Sequence, residues 1–134
     1  METQLLPKCH EEAQNLDIIL ACDGAASVGQ IGHELAVKLT LEQKDARMCC
    51  LSAVAAESKP HLKIARDAKR LIVINGCANR CASRILEKFQ IQPSYEITIA
   101  KEGVDKVPTL DFDEKDVIRI AGKIVSDLST VPDR

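Results

Sequence analysis

The segment LIVINGCANRCASRILEKF, residues 71–89, changes from a continuous apolar run to a helical pattern. The run LIVIN lacks polar alternation, which is typical of a strand buried on both faces. The apolar residues that follow are Ala82, Ile85, Leu86 and Phe89. Their spacing of one to four residues places them on one side of a helix. The segment therefore predicts a β-strand followed by an α-helix, which is half of a βαβ unit.

The same alternation continues along the chain. Apolar runs predict three further strands, over residues 17–22, 46–51 and 95–101. Helical periods predict helices over residues 27–41, 79–89 and 113–128, and Pro60 favours the start of a less regular helix over 58–69. Alternating strands and helices predict a parallel sheet with right-handed crossovers. We expect an α/β fold, a small three-layer sandwich whose four-stranded parallel sheet has the flavodoxin-like order 2-1-3-4.

The composition is that of an ordinary globular protein. The chain has 134 residues, of which 46% are apolar and 28% are charged, so it can bury a core of its own. No internal repeat, low-complexity stretch or linker divides it, and we expect a single domain over residues 1–134. The first stretch, residues 1–16, is polar and has no continuous apolar run, so we expect it to be flexible or loosely packed.

Charge and aromatic content exclude several classes of partner. The net charge is −2, and the aromatic residues are Phe89, Tyr95 and Phe112. The chain therefore offers neither a basic surface for phosphates nor a platform for stacking bases.

The N-terminus lacks the features of a signal peptide, and no apolar run approaches the roughly 20 residues that span a bilayer. We expect a cytoplasmic protein that binds neither nucleic acid nor a membrane.

Six cysteines indicate where the chemistry lies. They are Cys9, Cys22, Cys49, Cys50, Cys77 and Cys81. Because the cytoplasm keeps thiols reduced, this number of cysteines indicates metal binding or thiol chemistry rather than disulfides.

The predicted sheet brings several of these cysteines to one edge. In open parallel sheets, ligands bind beyond the carboxyl ends of the strands, where the strand order reverses. Cys22 ends the first strand, Cys77 follows the third, and Cys81 is expected one turn into the next helix. Cys49 and Cys50 close the second strand. Because successive strand residues point to opposite faces, only one of these two should reach the edge.

This set of thiols predicts a zinc site, because zinc accepts four thiolates in a tetrahedron. On a helix, Cys77 and Cys81 would have Cβ atoms roughly 5–6 Å apart. A disulfide needs about 3.8 Å, so a metal ion bridges such a pair more easily. We expect one metal ion on Cys22, Cys77, Cys81 and one of the adjacent cysteines. Its role would be structural or metal-handling, without catalysis by the protein itself.

Other interpretations of the cysteines stay open. The protein could be a thiol redox protein that uses the Cys77/Cys81 pair or the Cys49/Cys50 pair. The same cysteines could hold an iron–sulfur cluster, or they could be buried as small apolar side chains. No paired carboxylates, serine–histidine arrangement or nicotinamide motif indicates an enzyme.

Residues near the first strand allow weaker hypotheses. The loop over residues 23–32 could present backbone amides to an anion, but a tight turn with Ser27 as helix N-cap is the simpler interpretation. His33 could complete a metal site, although we expect a solvated or hydrogen-bonded surface histidine. Cys9 and His10 could form a second, weaker site or a lid, with disorder as the plainer alternative.

Three blocks of the sequence form a specific pattern when taken together. They are CDGAASVGQIGHELAVKLT (22–40), MCCLSAVAA (48–56) and RLIVINGCANRCASRILEK (70–88). In content and order they resemble the DGC-domain family, and the similarity extends over about residues 17–128. Proteins of this family are small and are described as zinc-binding proteins of uncertain role.

The resemblance has two consequences for the expected site. It implies that Cys50, rather than Cys49, joins Cys22, Cys77 and Cys81 as a metal ligand. It also shows a departure, because the Asp-Gly-Cys tripeptide of the family begins with Asn75 here. A carboxylate beside the ligands is thus missing, although the amide of Asn75 could hydrogen-bond a ligand sulfur.

Overall fold

The computed structural model describes residues 2–134. The strands are β1 (Asp17–Ala21), β2 (Ala46–Met48), β3 (Arg70–Asn75) and β4 (Tyr95–Thr98). The α-helices are α1 (Cys9–Glu12), α2 (Ser27–Glu42), α3 (Leu51–Ala55), α4 (Lys59–Asp67), α5 (Cys81–Lys88) and α6 (Glu114–Leu128). Single turns of 3₁₀-helix follow α1 and β4, at Ala13–Asn15 and Ile99–Lys101.

The four strands form one parallel sheet in the order β2-β1-β3-β4. In the register, Ile19 of β1 lies beside Met48 of β2 and Ile72 of β3. The predicted α/β fold with its flavodoxin-like order 2-1-3-4 is therefore confirmed. Because the strands are parallel, they all end at the same side of the sheet. We call this side, where residues 22, 49, 76 and 99 follow the strands, the carboxyl edge.

Alternating side chains divide the central strands between two cores. Ile19 and Ile72 belong to a core that includes buried residues of α2 and α6. Ile18 and Leu71, one position earlier on each strand, belong to a second core that includes buried residues of α4 and α5. Both faces of β1 and β3 are thus buried, which explains why their sequences are continuous apolar runs. The result is a three-layer arrangement of helices, sheet and helices.

The segment before β1 packs on the second core. Cys9, Ala13 and Leu16 are at most 8% exposed and belong to the cluster on the α4/α5 face. The sequence predicts that residues 1–16 are flexible or loosely packed. The first of them, Met1, lies outside the described residues. From Cys9 onward the described part is helical and contributes these three buried side chains.

Two predicted strands are shorter in the structure. The second strand, predicted over residues 46–51, ends at Met48, and helix α3 begins at Leu51. The fourth, predicted over 95–101, ends at Thr98 and continues as a 3₁₀ turn. Short apolar runs do not distinguish strand from helix, so both predicted strands extend beyond the observed ones. Within residues 2–134, no helix is long and apolar enough to cross a membrane.

Candidate functional site

Four cysteines follow the ends of neighbouring strands. Cys22 comes directly after β1, Cys50 lies two residues after β2, and Cys77 lies two residues after β3. Cys81 is the first residue of α5. Strand β1 pairs with both β2 and β3, so all four cysteines belong to adjoining segments of the carboxyl edge. All four thiols are free in the structure.

Close backbone contacts fix the loops that carry Cys22 and Cys77. A Cβ atom on Gly29 would lie only 2.3 Å from the carbonyl oxygen of Gly24. A Cβ atom on Gly76 would lie 3.2 Å from the backbone nitrogen of Gly29. The two loops therefore pack, backbone against backbone, on the first turn of α2; a side chain at position 29 would force the backbone apart, and one at position 76 would be tight. This packing supports the tight-turn interpretation of the loop after β1.

The sulfur of Cys77 lies in surroundings that favour its thiolate. The Nζ atom of Lys106 lies 3.6 Å from this sulfur. A hydrogen bond from the backbone N–H of Asn79 and the charge of Lys106 lower the pKa of Cys77, although partial burial opposes them. The thiolate is the form of cysteine that binds metals and acts as a nucleophile. These surroundings therefore favour the form of Cys77 that would bind a metal ion.

Ser27 holds the loop that carries Lys106. The Oγ atom of Ser27 donates a hydrogen bond to the carbonyl oxygen of Asp105 and accepts one from the backbone N–H of Val107, both at 2.9 Å. The sequence predicts Ser27 to be the N-cap of α2, but its hydroxyl is used by this loop instead. Lys106 could not be predicted from the sequence, because the irregular stretch around it has no periodic pattern.

Cys81 lies at the start of α5, where its sulfur accepts a hydrogen bond from Nδ2 of Asn79 at 2.9 Å. The prediction that Cys81 lies one turn inside a helix beginning after Cys77 is wrong. Arg80 has a left-handed backbone conformation, with φ of 52°, so the helix begins only after it. Nε of Arg80 donates to Glu96 of β4 at 2.9 Å and holds this turn.

Asn75 positions the first turn of α5. It is completely buried, and its Oδ1 accepts a hydrogen bond from the backbone N–H of Ser83 at 3.0 Å. Its Nδ2 donates to Oγ of Ser83 at 2.7 Å and to Glu96 at 3.3 Å. This amide therefore satisfies one of the free donors of the helix start. The expectation that it hydrogen-bonds a ligand sulfur is not met, because both of its groups are used elsewhere.

The adjacent Cys49 and Cys50 have different surroundings. Cys49 is half-buried and packs against the core on the α4/α5 face, whereas Cys50 is exposed. The backbone N–H of Cys49 donates to the carbonyl oxygen of Ile19 at 2.9 Å, so the β1–β2 pairing extends to this residue. Cys50 is therefore the member of the pair whose side chain is open to solvent.

His33 lies on the surface beside the loop after β1. Its Nδ1 atom lies 3.1 Å from Oδ1 of Asp23, and both side chains are at least 40% exposed. The expectation of a hydrogen-bonded surface histidine is confirmed.

The four thiols do not form a ready-made metal site. Within residues 2–134, no group of three or more His, Cys, Asp or Glu side chains is arranged to hold a metal ion. Cys77 and Cys81 are instead paired with Lys106 and Asn79. The chemistry of the donors fits zinc, which prefers thiolates, but their arrangement in this structure does not.

Comparison with known proteins identifies the domain. The family model of the DGC domain matches residues 18–124. The Anaerobic and virulence modulator AnvM of Pseudomonas aeruginosa is 25% identical over 105 residues, which cover 78% of this chain and 79% of that protein. No solved structure matches the chain significantly. Since the family model covers most of its length, this chain belongs to the DGC-domain family.

Proposed function

We propose that this protein binds one zinc ion through the thiolates of Cys22, Cys50, Cys77 and Cys81, in a structural or metal-handling role. The observation that carries the proposal is the position of these four cysteines after three adjoining strands. Four thiolates at about 2.3 Å satisfy the tetrahedral preference of zinc.

The local charges support this proposal. Lys106 places a positive charge beside the sulfur of Cys77. A bound zinc ion would replace the Lys106 ammonium at this position. Cys50, Cys81 and Asn79 are exposed, so their side chains can turn toward a metal ion without disturbing the sheet. Zinc binding would thus require local rearrangement at the carboxyl edge.

The number of ligands decides what the ion does. If all four thiolates bind, the site is closed and its role is structural or storage-like. If three bind, the fourth position is open to a ligand from another molecule. The proposal assigns no reaction to the protein. Zinc binding at this site requires a reducing compartment such as the cytoplasm, because oxidised cysteines cannot bind zinc.

Elemental analysis tests the proposal. Untagged wild type, purified with zinc and reductant present, is compared with Cys77→Ser, Cys50→Ser and the matched control Cys9→Ser. We expect about one zinc per chain in the wild type and the control, and loss of zinc in the other two variants. A wild type without zinc, or a Cys77→Ser variant that retains it, contradicts the proposal.

A second candidate function is thiol redox chemistry at Cys77 and Cys81. These residues flank a single turn, closed by a hydrogen bond from the N–H of Arg80 to the carbonyl oxygen of Cys77 at 3.0 Å. In this case the wild type would contain no metal, and oxidation would link the two thiols reversibly. The Cys49/Cys50 pair is less suited, because consecutive Cα atoms lie about 3.8 Å apart, below the usual disulfide range of about 4.4–6.8 Å.

A further inference from the structure

A second pair of thiols lies outside the proposed zinc ligands. Cys9, in α1, is 8% exposed and belongs to the core on the α4/α5 face. Cys49 packs against the same core from the end of β2. Both residues also line the same cleft. Segments distant in the sequence therefore bring two reduced cysteines to one place.

A hydrogen bond between the two segments holds them together. Nε of Arg47 donates to the carbonyl oxygen of Pro7 at 2.8 Å. Pro7 precedes Cys9 by two residues, and Arg47 precedes Cys49 by two. The N-terminal segment is thus attached to β2 by this hydrogen bond, and each cysteine lies two residues beyond one of its partners.

The thiol pair lies beside a cleft of about 570 Å³. This cleft is large enough to admit a small oxidant. The hydrogen bond from Cys49 lowers the pKa of Cys9 to about 6, with a contribution from the charge of Arg47 and against the effect of burial. Residues that line the cleft include Cys9, Arg47, Cys49, His61 and the proposed zinc ligand Cys50.

We propose that Cys9 and Cys49 form a reversible disulfide when the protein reacts with hydrogen peroxide. The thiolate of Cys9 attacks one peroxide oxygen, the O–O bond breaks, and the leaving hydroxide takes up a proton to become water. Cys9 is then a sulfenic acid. The sulfur of Cys49 attacks it, the S–O bond breaks, and hydroxide leaves as water with the proton of Cys49. Two thiols lose two electrons and two protons, and one peroxide becomes two waters.

The disulfide would fasten α1 to the end of β2, directly before Cys50. It would close a loop that contains β1, α2 and β2. Closing such a loop restricts the unfolded chain and stabilises the fold. Neither thiol belongs to the proposed zinc ligands, so this inference does not depend on zinc binding.

Peptide mapping tests the inference. The reduced, full-length protein is treated with hydrogen peroxide and digested with trypsin and Asp-N without reductant, which separates Cys9 from Cys22. We expect a disulfide between the peptides of residues 9–16 and 48–63, and its loss after treatment with dithiothreitol. Cys50→Ser should retain this link, whereas Cys49→Ser should lose it. Because the link in Cys50→Ser can involve only Cys49, this variant decides the test even if another does not fold.

Thermal unfolding provides the second measurement. The oxidised wild type should unfold at a temperature higher than the reduced form by roughly 5–15 °C, and Cys9→Ala should show no such difference. The inference is overturned if peroxide oxidises other cysteines without linking these peptides. It is equally overturned if Cys9 is linked to another cysteine, or if the link disappears in Cys50→Ser.

Discussion

The ammonium nitrogen of Lys106 lies 3.6 Å from the sulfur of Cys77. The backbone on either side of Lys106 is held by a single hydroxyl, because Oγ of Ser27 hydrogen-bonds to Asp105 and Val107. The positive charge at the carboxyl edge therefore depends on a loop that is distant in the sequence and on one serine of α2.

Replacing Lys106 should reduce the reactivity of Cys77. Lys106 helps to lower the pKa of Cys77, so Lys106→Gln should raise that pKa and leave less thiolate at neutral pH. We expect alkylation of Cys77 by iodoacetamide to slow by about two- to fivefold, because the pair is partly solvated. Mass spectrometry of each cysteine gives the rate. Lys115→Gln is the matched control, and an unchanged rate in Lys106→Gln would show that the contact has no electrostatic effect.

Removing the Ser27 hydroxyl should loosen the loop. In Ser27→Ala, the backbone N–H of Val107 loses its acceptor, which should lower the free energy of unfolding by about 1–2 kcal/mol. Amide hydrogen exchange at Val107 should become faster. Urea denaturation and exchange measured by NMR check both effects, with Ser52→Ala, at an exposed position of α3, as control. Equal stability and unchanged exchange would mean that other contacts hold the loop.

Two glycine substitutions should act in opposite directions. Gly29→Ala would place its Cβ 2.3 Å from the carbonyl oxygen of Gly24, so we expect a loss of more than about 3 kcal/mol. Gly122→Ala, in α6, meets no atom within 4 Å and should stabilise the protein by about 0.5–1 kcal/mol through helix propensity. Chemical denaturation measures both. A mild effect of Gly29→Ala would contradict the close backbone packing.

Asn75→Asp should make stability depend on pH. Burial raises the pKa of Glu96, but hydrogen bonds from Arg80 and Ser83 lower it overall, so Glu96 is ionised at neutral pH. A second carboxylate at position 75 would replace the amide that donates to Glu96. We expect a loss of about 1–3 kcal/mol at neutral pH.

The sign of this pH effect follows from the repulsion between the two carboxylates. Repulsion raises a carboxylate pKa in the folded variant above its unfolded value, so the folded state binds a proton more tightly. The loss caused by Asn75→Asp should therefore shrink as the pH falls toward about 4. Urea denaturation at both pH values tests this, with exposed Asn15→Asp as control. An equal loss of unfolding free energy at both pH values would show that repulsion between the two carboxylates does not contribute.

The sheet could be predicted because its central strands are buried on both faces. Such strands leave continuous apolar runs, and the helices between them restrict the connections to parallel crossovers. The positions of Cys22 and Cys77 at one edge follow from that topology. Asn75 illustrates the limit of this reasoning, because a buried amide inside an apolar run does not reveal its hydrogen-bond partners.

The rest of the site depends on contacts that leave no periodic pattern. The left-handed conformation of Arg80 is held by Glu96 of another strand, so the sequence could not place the start of α5. Lys106 lies in an irregular segment, and Cys9 lies in a stretch without a periodic apolar pattern. The backbone near each residue is held by a tertiary hydrogen bond, from Ser27 to Asp105 and from Arg47 to Pro7.

The most direct test of the proposed zinc site is protection of each cysteine from alkylation. Reduced, metal-free protein is treated with iodoacetamide with and without zinc, and the rate at every cysteine is measured by mass spectrometry. We expect zinc to protect Cys22, Cys50, Cys77 and Cys81 together and to leave the alkylation rates of Cys9 and Cys49 unchanged. Absence of protection at Cys77, or protection confined to Cys9 and Cys49, would contradict it.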